Sequence, residues 1–184
     1  VPMATVGQDF GSYREHFEHC GIPLSHVKVV PDLYTAQAFI TTDLDDNQIT
    51  AFHPGAMMRS YENHVRDVQD VAFGIVGPDS YEAMLQNCRE FSEAGIPFIF
   101  DPGQAMPLFN GEELKQMIES ATYVTVNDYE SLLMSDKTGL SVTEIRDQVQ
   151  AYIITRGDKG SEIHTPQGVI SIPAAAPIRV VDPT

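Results

Sequence analysis

The sequence predicts an α/β protein of three layers, in which helices cover both faces of a mostly parallel central sheet. Short β-rich runs alternate with helical stretches through the second half of the chain, which is typical of βαβ units. Each helical stretch has apolar residues at helical spacing and begins with a polar residue that can cap it. The parallel strands are predicted at 71–76, 97–100, 123–126 and 152–155.

The N-terminal part of the sequence predicts a helix followed by a β-hairpin. An amphipathic helix is expected from about residue 9 to residue 20, with Gly21 at its end. Two strand-like runs, 34–42 and 48–53, are joined by an acidic turn and predict an antiparallel pair. We expect this hairpin, at 34–53, to form part of a β lid on a single, incomplete α/β domain that spans 1–184.

Polar pairs three residues apart mark the starts of the later helices. In a capping box the first residue and a following Glu satisfy each other's backbone N–H groups. The predicted pairs are Asp79 with Glu82, Asn110 with Glu113, and Ser141 with Glu144. The side chains expected to face the sheet are Tyr81, Met84, Leu85, Cys88 and Phe91, then Leu114, Met117, Ile118 and Ala121, then Ile145 and Val149.

Composition excludes several classes of partner. The chain has 11 Lys+Arg against 26 Asp+Glu, a formal net charge of −15, which repels nucleic acid and anionic membranes. No apolar run reaches the roughly 20 residues of a membrane span. Cys20 and Cys88 fall on apolar helix faces, so we expect buried free thiols and a cytoplasmic protein. The six histidines lack metal-ligand spacing, which argues against a zinc site.

Polar residues follow three of the predicted strands, where open α/β sheets bind their ligands. The first strand end carries Asp101, the second carries Asn127 and Glu130, and the third leads into the turn 156–160. A turn at 157–160 and another at 165–168 would also form an antiparallel edge with strands 161–164 and 169–172. Acids, an amide, two bases and two glycines at one edge suit a Mg²⁺-phosphate site.

Two of these patterns have a structural interpretation beside the functional one. Asn127-x-x-Glu130 is a capping box that any helix can use, and capping is compatible with metal organisation if the Glu faces the crevice. The sequence from Thr155 to Gly160 is a common hairpin turn, although its glycines would also let the backbone approach a phosphate. From the residues alone both interpretations stay open.

The order of these parts resembles the ribokinase-like PfkB family of sugar and nucleoside kinases. The matching parts are Val6-Gly7-Gln8-Asp9-Phe10-Gly11, Asn127-x-x-Glu130, Thr155-x-Gly157-x-x-Gly160, the hairpin after it, and Val181-Asp182-Pro183-Thr184. In the turn at 53–57 Met57 replaces the usual Asn, and with the run 101–104 this favours the adenosine-kinase-like bacterial branch.

The resemblance implies ATP and Mg²⁺ as cofactors. It implies that ATP is bound by Asp101, Asn127, Glu130, Thr155, Arg156, Gly157, Lys159 and Gly160. Glu130 would reach Mg²⁺ through water, and Asp182 and Thr184 would hold a monovalent cation such as K⁺. The family's catalytic base lies in a Gly-Ala-Gly-Asp stretch that these 184 residues lack. Both ends look cut, and we expect the 184 residues alone to be inactive.

The resulting prediction is an ATP-dependent phosphotransferase that phosphorylates a hydroxymethyl group of a small sugar or nucleoside, adenosine among them. The expected partners are that small molecule and, as an open alternative, a second copy of the chain in a homodimer. A non-catalytic α/β module that binds a nucleotide or sugar is the competing prediction, and an unrelated doubly wound enzyme is the third.

Overall fold

The computed structural model describes residues 1–44, 47–176 and 178. The chain divides into two compact units, of which the first contains Val1–Asn63 and the second begins at His64. The single domain predicted for 1–184 stays a prediction. Among the described residues, no helix has the length and hydrophobicity of a bilayer-spanning segment.

The first unit contains a short parallel strand pair, one helix and the predicted hairpin. The chain order is strand β1 (Ala4–Val6), helix α1 (Gly11–His19), strand β2 (Val27–Val29), strand β3 (Gln37–Thr42), strand β4 (Gln48–His53) and a kinked 3₁₀ segment (Gly55–Glu62). β1 pairs with β2 in parallel, and β3 pairs with β4 antiparallel. All residues of β3 and β4 are exposed.

The hairpin begins at Gln37 rather than at Tyr34 because the preceding residues are fixed elsewhere. The Asp9 carboxylate accepts hydrogen bonds from the Thr35 N–H at 2.8 Å and from its hydroxyl at 2.7 Å. A Cβ on Gly7 would overlap the backbone of Tyr34. These contacts hold the segment away from strand geometry, and they explain why Asp9 makes no helix cap.

The second unit is built on a six-stranded sheet within the described residues. Its elements are strand β5 (Gly74–Val76), helix α2 (Tyr81–Glu93), strand β6 (Phe98–Phe100), helix α3 (Gly111–Ser120), strand β7 (Tyr123–Asn127), helix α4 (Asp128–Thr138), helix α5 (Val142–Arg146), strand β8 (Ala151–Thr155), strand β9 (Ser161–Thr165) and strand β10 (Gly168–Ile172), with 3₁₀ turns at Val65–Asp67, Gly103–Leu108 and Gly157–Lys159. The spatial order is β10-β9-β8-β7-β6-β5. β5 to β8 are parallel and β8 to β10 antiparallel, which confirms the predicted mixed sheet.

One continuous core joins this sheet to its helices. The buried residues alternate along the strands, as in Val124 and Val126 of β7, so they lie on one face. All four helices of the second unit contribute to this cluster, and the predicted inward faces of α3 and α5 are confirmed. Most residues of the opposite face are half-buried or exposed, with Ile75 at 68% exposure, whereas Ala151 of β8 is buried there. The described residues of this unit do not form a second helical layer there.

The structure corrects some of the predictions made for single residues and confirms others. Ser80, not Asp79, caps α2: its Oγ accepts from the Ala83 N–H. The capping boxes predicted for α3 and α5 are present. Cys88 is buried as expected. Cys20, the residue that directly follows α1, is exposed, and no side chain of α1 itself is buried.

Candidate functional site at the carboxyl edge of the sheet

Three parallel strands deliver polar residues to the same edge of the sheet. Asp101 follows β6, and its N–H donates to the carbonyl oxygen of Val76 at the end of β5, at 2.9 Å. Asn127 and Thr155 end β7 and β8, and they are direct neighbours in the strand register. With strands spaced by about 4.8 Å, Asp101 and Thr155 lie on strands about 10 Å apart. The sequence therefore predicted the convergence of these three positions correctly.

Asn127 and Glu130 form a complete capping box at the start of α4. The Asn127 Oδ1 accepts from the Glu130 N–H at 2.7 Å, and the Glu130 Oε2 accepts from the Asn127 N–H at 2.8 Å. The Tyr129 N–H donates to Asp128 Oδ1 at 2.9 Å. Because side chains already satisfy the N–H groups of Tyr129 and Glu130, the N-terminus of α4 offers an anion its dipole but not these two donors.

A buried hydrogen bond fixes the start of α4 against β8. The hydroxyl of Tyr152, a fully buried residue, donates to the Ser131 Oγ at 3.0 Å. Burial raises the pKa of the Tyr152 hydroxyl, so it stays a neutral donor. Since Ser131 directly follows Glu130, this bond holds the backbone beside Glu130 against the sheet. The Asn127 N–H then holds the Glu130 carboxylate itself.

The two carboxylates of the site interact with each other. Burial, followed by the negative charge of Glu130, raises the pKa of the Asp101 carboxyl above its ordinary value. The Gly103 N–H donates to Asp101 and offsets part of this increase. Asp101 and Glu130 are thus close enough to repel, and a cation placed between them would relieve that repulsion.

Asp101 and Glu130 could bind a Mg²⁺ ion whose other ligands are waters and phosphate oxygens. They are too few to bind a metal ion through protein side chains alone. Among the described residues, no three His, Cys, Asp or Glu side chains gather into a metal site. Mg²⁺ keeps several of its waters and commonly binds through one or two carboxylates together with phosphate oxygens. Asp101 and Glu130 supply that number of carboxylates.

Asp101→Asn is expected to raise the stability of the chain at pH 7 when no divalent cation is present. Because the folded state disfavours the ionised carboxylate, stability falls as pH rises from 3.8 through the raised folded-state pKa. The variant lacks this loss, so its advantage should shrink as pH falls toward 3.8. Asp101 is half-buried, so the gain should stay below about 1 kcal/mol. Thermal unfolding in EDTA measures it, and a lower Tm for the variant at pH 7 would contradict it.

The turn after β8 requires glycine at two positions. Gly157 and Gly160 have φ of +55° and +85°, in the left-handed half of the backbone map. A Cβ on Gly160 would overlap the carbonyl oxygen of Ile172, since β10 ends against this turn. The Arg156 N–H donates to the Gly160 carbonyl oxygen at 2.8 Å and closes the turn. The hairpin interpretation of this sequence is therefore correct as a description of its structure.

The two basic side chains of this turn differ in their partners. Arg156 forms an ion pair with Glu162 of β9 at 2.9 Å, and the same carboxylate oxygen lies 3.0 Å from the His164 Nε2. Lys159 is exposed, and within the described residues it makes no ion pair. Among the described residues of this edge, Lys159 is thus a basic side chain without an ion pair, whereas Arg156 would have to share or leave Glu162 to bind an anion.

The predicted site residues fall into two groups, those that the structure describes and those that lie outside the described residues. The structure describes eight of them: Asp101, Asn127 and Thr155 lie at the carboxyl ends of β6, β7 and β8, Glu130 lies in the first turn of α4, and Arg156, Gly157, Lys159 and Gly160 lie in the turn after β8. Asp182 and Thr184, predicted to hold a monovalent cation, lie outside the described residues.

Sequence reasoning missed Ser131, Tyr152 and Glu162. The signal for Tyr152 was a tyrosine in a strand predicted to be buried, because a buried hydroxyl needs a polar partner. Ser131 was the nearest small hydroxyl at the start of the following helix. No local signal marked Glu162, because its role depends on the antiparallel register of β9 against β8, which places Glu162 opposite Ile154.

Known proteins resemble this chain in sequence and in fold over nearly its whole length. Residues 3–184 match the family model of the pfkB family carbohydrate kinases. The chain is 30% identical over 184 residues to a nucleoside kinase of Methanocaldococcus jannaschii, covering 99% of this chain and 60% of the relative. The solved structure of Burkholderia thailandensis nucleoside kinase in complex with inosine is 52% identical, with a TM-score of 0.94, and the match covers 99% of this chain and 60% of that one.

The same Burkholderia thailandensis enzyme in complex with ADP-inosine matches with a TM-score of 0.93, at 52% identity, over 98% of this chain and 57% of that one. The chain thus spans about 60% of the length of the relatives it matches. The mostly parallel α/β fold with ribokinase-like neighbours is confirmed by these structures.

Proposed function

Since the chain belongs to the pfkB family of carbohydrate kinases, we propose that the full-length protein transfers a phosphoryl group from ATP to a hydroxymethyl group of a nucleoside. One observation carries the proposal: the paired carboxylates Asp101 and Glu130 and the glycine turn with Lys159 occupy the same edge of a parallel sheet. Such an edge can hold a cation and a phosphate chain side by side.

A nucleoside is favoured over a simple sugar as the acceptor. The relatives at 30% and 52% identity are named nucleoside kinases, and the latter was solved with inosine and with ADP-inosine. Met57 of the first unit stands where the family usually has Asn, a departure that sets this chain apart from a typical sugar kinase. Purine nucleosides, including adenosine and inosine, are therefore the first substrates to test.

The residue assignments follow from the geometry of the edge. Glu130, through water, and Asp101 would hold Mg²⁺, which when bound neutralises charge on the phosphates. Lys159 and the backbone of the turn at Gly157 and Gly160 would contact the ATP phosphates, together with Asn127, Thr155 and Arg156. Asp182 and Thr184 would hold a monovalent cation such as K⁺.

Positioning and electrostatic stabilisation supply most of the catalysis in phosphoryl transfer. The described residues are suited to both tasks, because the Tyr152–Ser131 hydrogen bond fixes the start of α4 and the glycines fix the turn. The catalytic base, by the family resemblance, belongs to the Gly-Ala-Gly-Asp stretch that these residues do not include. A cytoplasmic location and a homodimer stay proposals.

The test is a phosphorylation assay on the full-length protein with ATP, Mg²⁺ and a panel of nucleosides and small sugars. We expect a nucleoside to be turned over fastest, with ADP formed in equal amount. Residues 1–184 alone, shown to be folded by circular dichroism, should be inactive, because a missing base costs about 10²-fold or more. Phosphorylation of no nucleoside by the full-length protein would overturn the proposal, and turnover by the 184 residues would overturn the assignment of the base.

A further inference from the structure

Most basic side chains in this acidic chain have a partner. Among the described residues, the basic side chains with an acidic, carbonyl or aromatic partner are Arg14, Lys28, Arg59, Lys115, Lys137, Arg146 and Arg156. Arg66 and Arg89 have no ion pair or hydrogen bond within the same described residues, as is also true of Lys159. Arg66 and Arg89 are exposed, and their guanidinium groups are therefore available to bind an anion.

Both of these arginines line one cavity. The cavity has a volume of about 460 Å³ and is bounded by the second half of α2 and the 3₁₀ turn Val65–Asp67. Its lining residues are Arg66, Gln86, Arg89, Glu90, Glu93 and Ala94. A volume of this size accommodates a small metabolite.

Two carboxylates, those of Glu90 and Glu93, line the cavity beside the two arginines. The two carboxylate oxygens of Glu90 are used by its own surroundings: Oε1 lies 2.7 Å from the His64 Nδ1, and Oε2 accepts from the Val65 N–H at 2.7 Å. These contacts hold the Glu90 carboxylate without removing its charge, and the guanidinium groups of Arg66 and Arg89 are the N–H donors of the lining that have no ion pair or hydrogen bond among the described residues. Guanidinium groups present several N–H donors in a planar fork that matches phosphate oxygens.

The cavity lies away from the proposed phosphotransfer edge. α2 starts after the carboxyl end of β5 and runs back along the sheet before β6 begins, so its last turns lie toward the opposite edge. Its 13 residues span about 20 Å at about 1.5 Å per residue. Arg89, Glu90 and Glu93 belong to those last turns, so a ligand of this cavity would not overlap one bound at Glu130.

We propose that this cavity is a second anion-binding site, in which Arg66 and Arg89 together bind a dianionic phosphate group. Two sources supply such a group, namely free phosphate and a phosphorylated metabolite such as a nucleoside monophosphate. Both sources share the doubly charged phosphoryl group that two guanidinium groups can bind. The proposal does not depend on the phosphotransfer reaction, because it concerns binding alone.

Isothermal titration of the full-length protein with inorganic phosphate and, separately, with a nucleoside monophosphate tests the proposal at constant ionic strength. Both ligands should bind, with Kd between about 0.1 and 1 mM because the arginines are exposed. Arg66→Ala and Arg89→Ala should each weaken binding of the phosphate group about 10-fold. A nucleoside monophosphate is also the product of the proposed reaction and can bind the phosphotransfer edge, so only the component of its binding that Arg66→Ala and Arg89→Ala weaken is assigned to the cavity.

Two matched variants separate this site from other anion sites. Arg146→Ala removes the same charge from α5, and Lys159→Ala removes a basic side chain from the phosphotransfer edge. Neither should change the component of binding that is lost in Arg66→Ala and Arg89→Ala. Binding that survives the double variant Arg66→Ala/Arg89→Ala unchanged, or the absence of phosphate binding up to about 10 mM, would overturn the proposal. Unchanged thermal unfolding of each variant ensures that lost binding is not lost folding.

Discussion

Glu130→Gln is expected to lower the turnover of the full-length kinase about 10-fold or more and to raise its requirement for Mg²⁺. The substitution keeps the shape of the side chain and an oxygen that can accept from the Asn127 N–H, so the capping box survives. It removes a negative charge that acts on Asp101 and that we assign to cation binding. Initial rates against Mg²⁺ concentration at saturating ATP and nucleoside measure the effect.

Glu144→Gln is the matched control for this experiment. Glu144 closes the same kind of capping box at the start of α5, where its Oε2 accepts from the Ser141 N–H at 2.8 Å. The two variants should lose similar and small amounts of stability, below about 1 kcal/mol, since Gln serves in both boxes. Normal turnover and normal Mg²⁺ dependence in Glu130→Gln would reduce Glu130 to a helix cap and remove the main support for the cation site.

Helix starts were predictable from the sequence because capping boxes are local. The pairs Asn110–Glu113 and Ser141–Glu144 contain their own partners within four residues, so no tertiary knowledge was needed. The alternation of strands and helices similarly fixed the order of the parallel sheet. The start of α2 was misplaced by one residue, because Asp79 and Ser80 both suit an N-cap.

Contacts made across long stretches of the chain could not be predicted. Asp9 bonds to Thr35, 26 residues away, rather than capping the helix that follows it. Arg156 pairs with Glu162 because β8 and β9 adopt a particular register, which sequence alone does not give. These are the places where the predicted role of a side chain depends on which acid or donor the fold brings to it.

Gly160→Ala is expected to have the largest effect on stability of any single change in the predicted phosphate turn. Gly160 has φ of +85° and ψ of −137°, a conformation that is essentially restricted to glycine. An added Cβ would also overlap the Ile172 carbonyl oxygen and lie 2.7 Å from the Ala174 backbone nitrogen, so β10 would have to move. Strain and steric overlap together should cost about 3 kcal/mol or more.

Gly157→Ala separates the cost of backbone strain from the cost of steric overlap by an added Cβ in the same turn. Gly157 has φ of +55°, but a Cβ there meets no atom within 4 Å, so the cost should be about 1 kcal/mol from backbone strain alone. Urea unfolding of both variants gives the two free energies of unfolding. Hydrogen exchange should show lost protection in β9 and β10 for Gly160→Ala and near-normal protection for Gly157→Ala.

The same pair of variants tests whether the geometry of this turn matters for ATP. Gly160→Ala would displace the carbonyl oxygen that accepts from the Arg156 N–H, and with it the position of Lys159. We therefore expect the KM for ATP of the full-length enzyme to rise about 10-fold or more, with a smaller change in the KM for the nucleoside. Gly157→Ala should stay closer to the parent in both constants. Equal effects of the two variants on stability and on KM would show that the close approach of β10 to Gly160 has no special role.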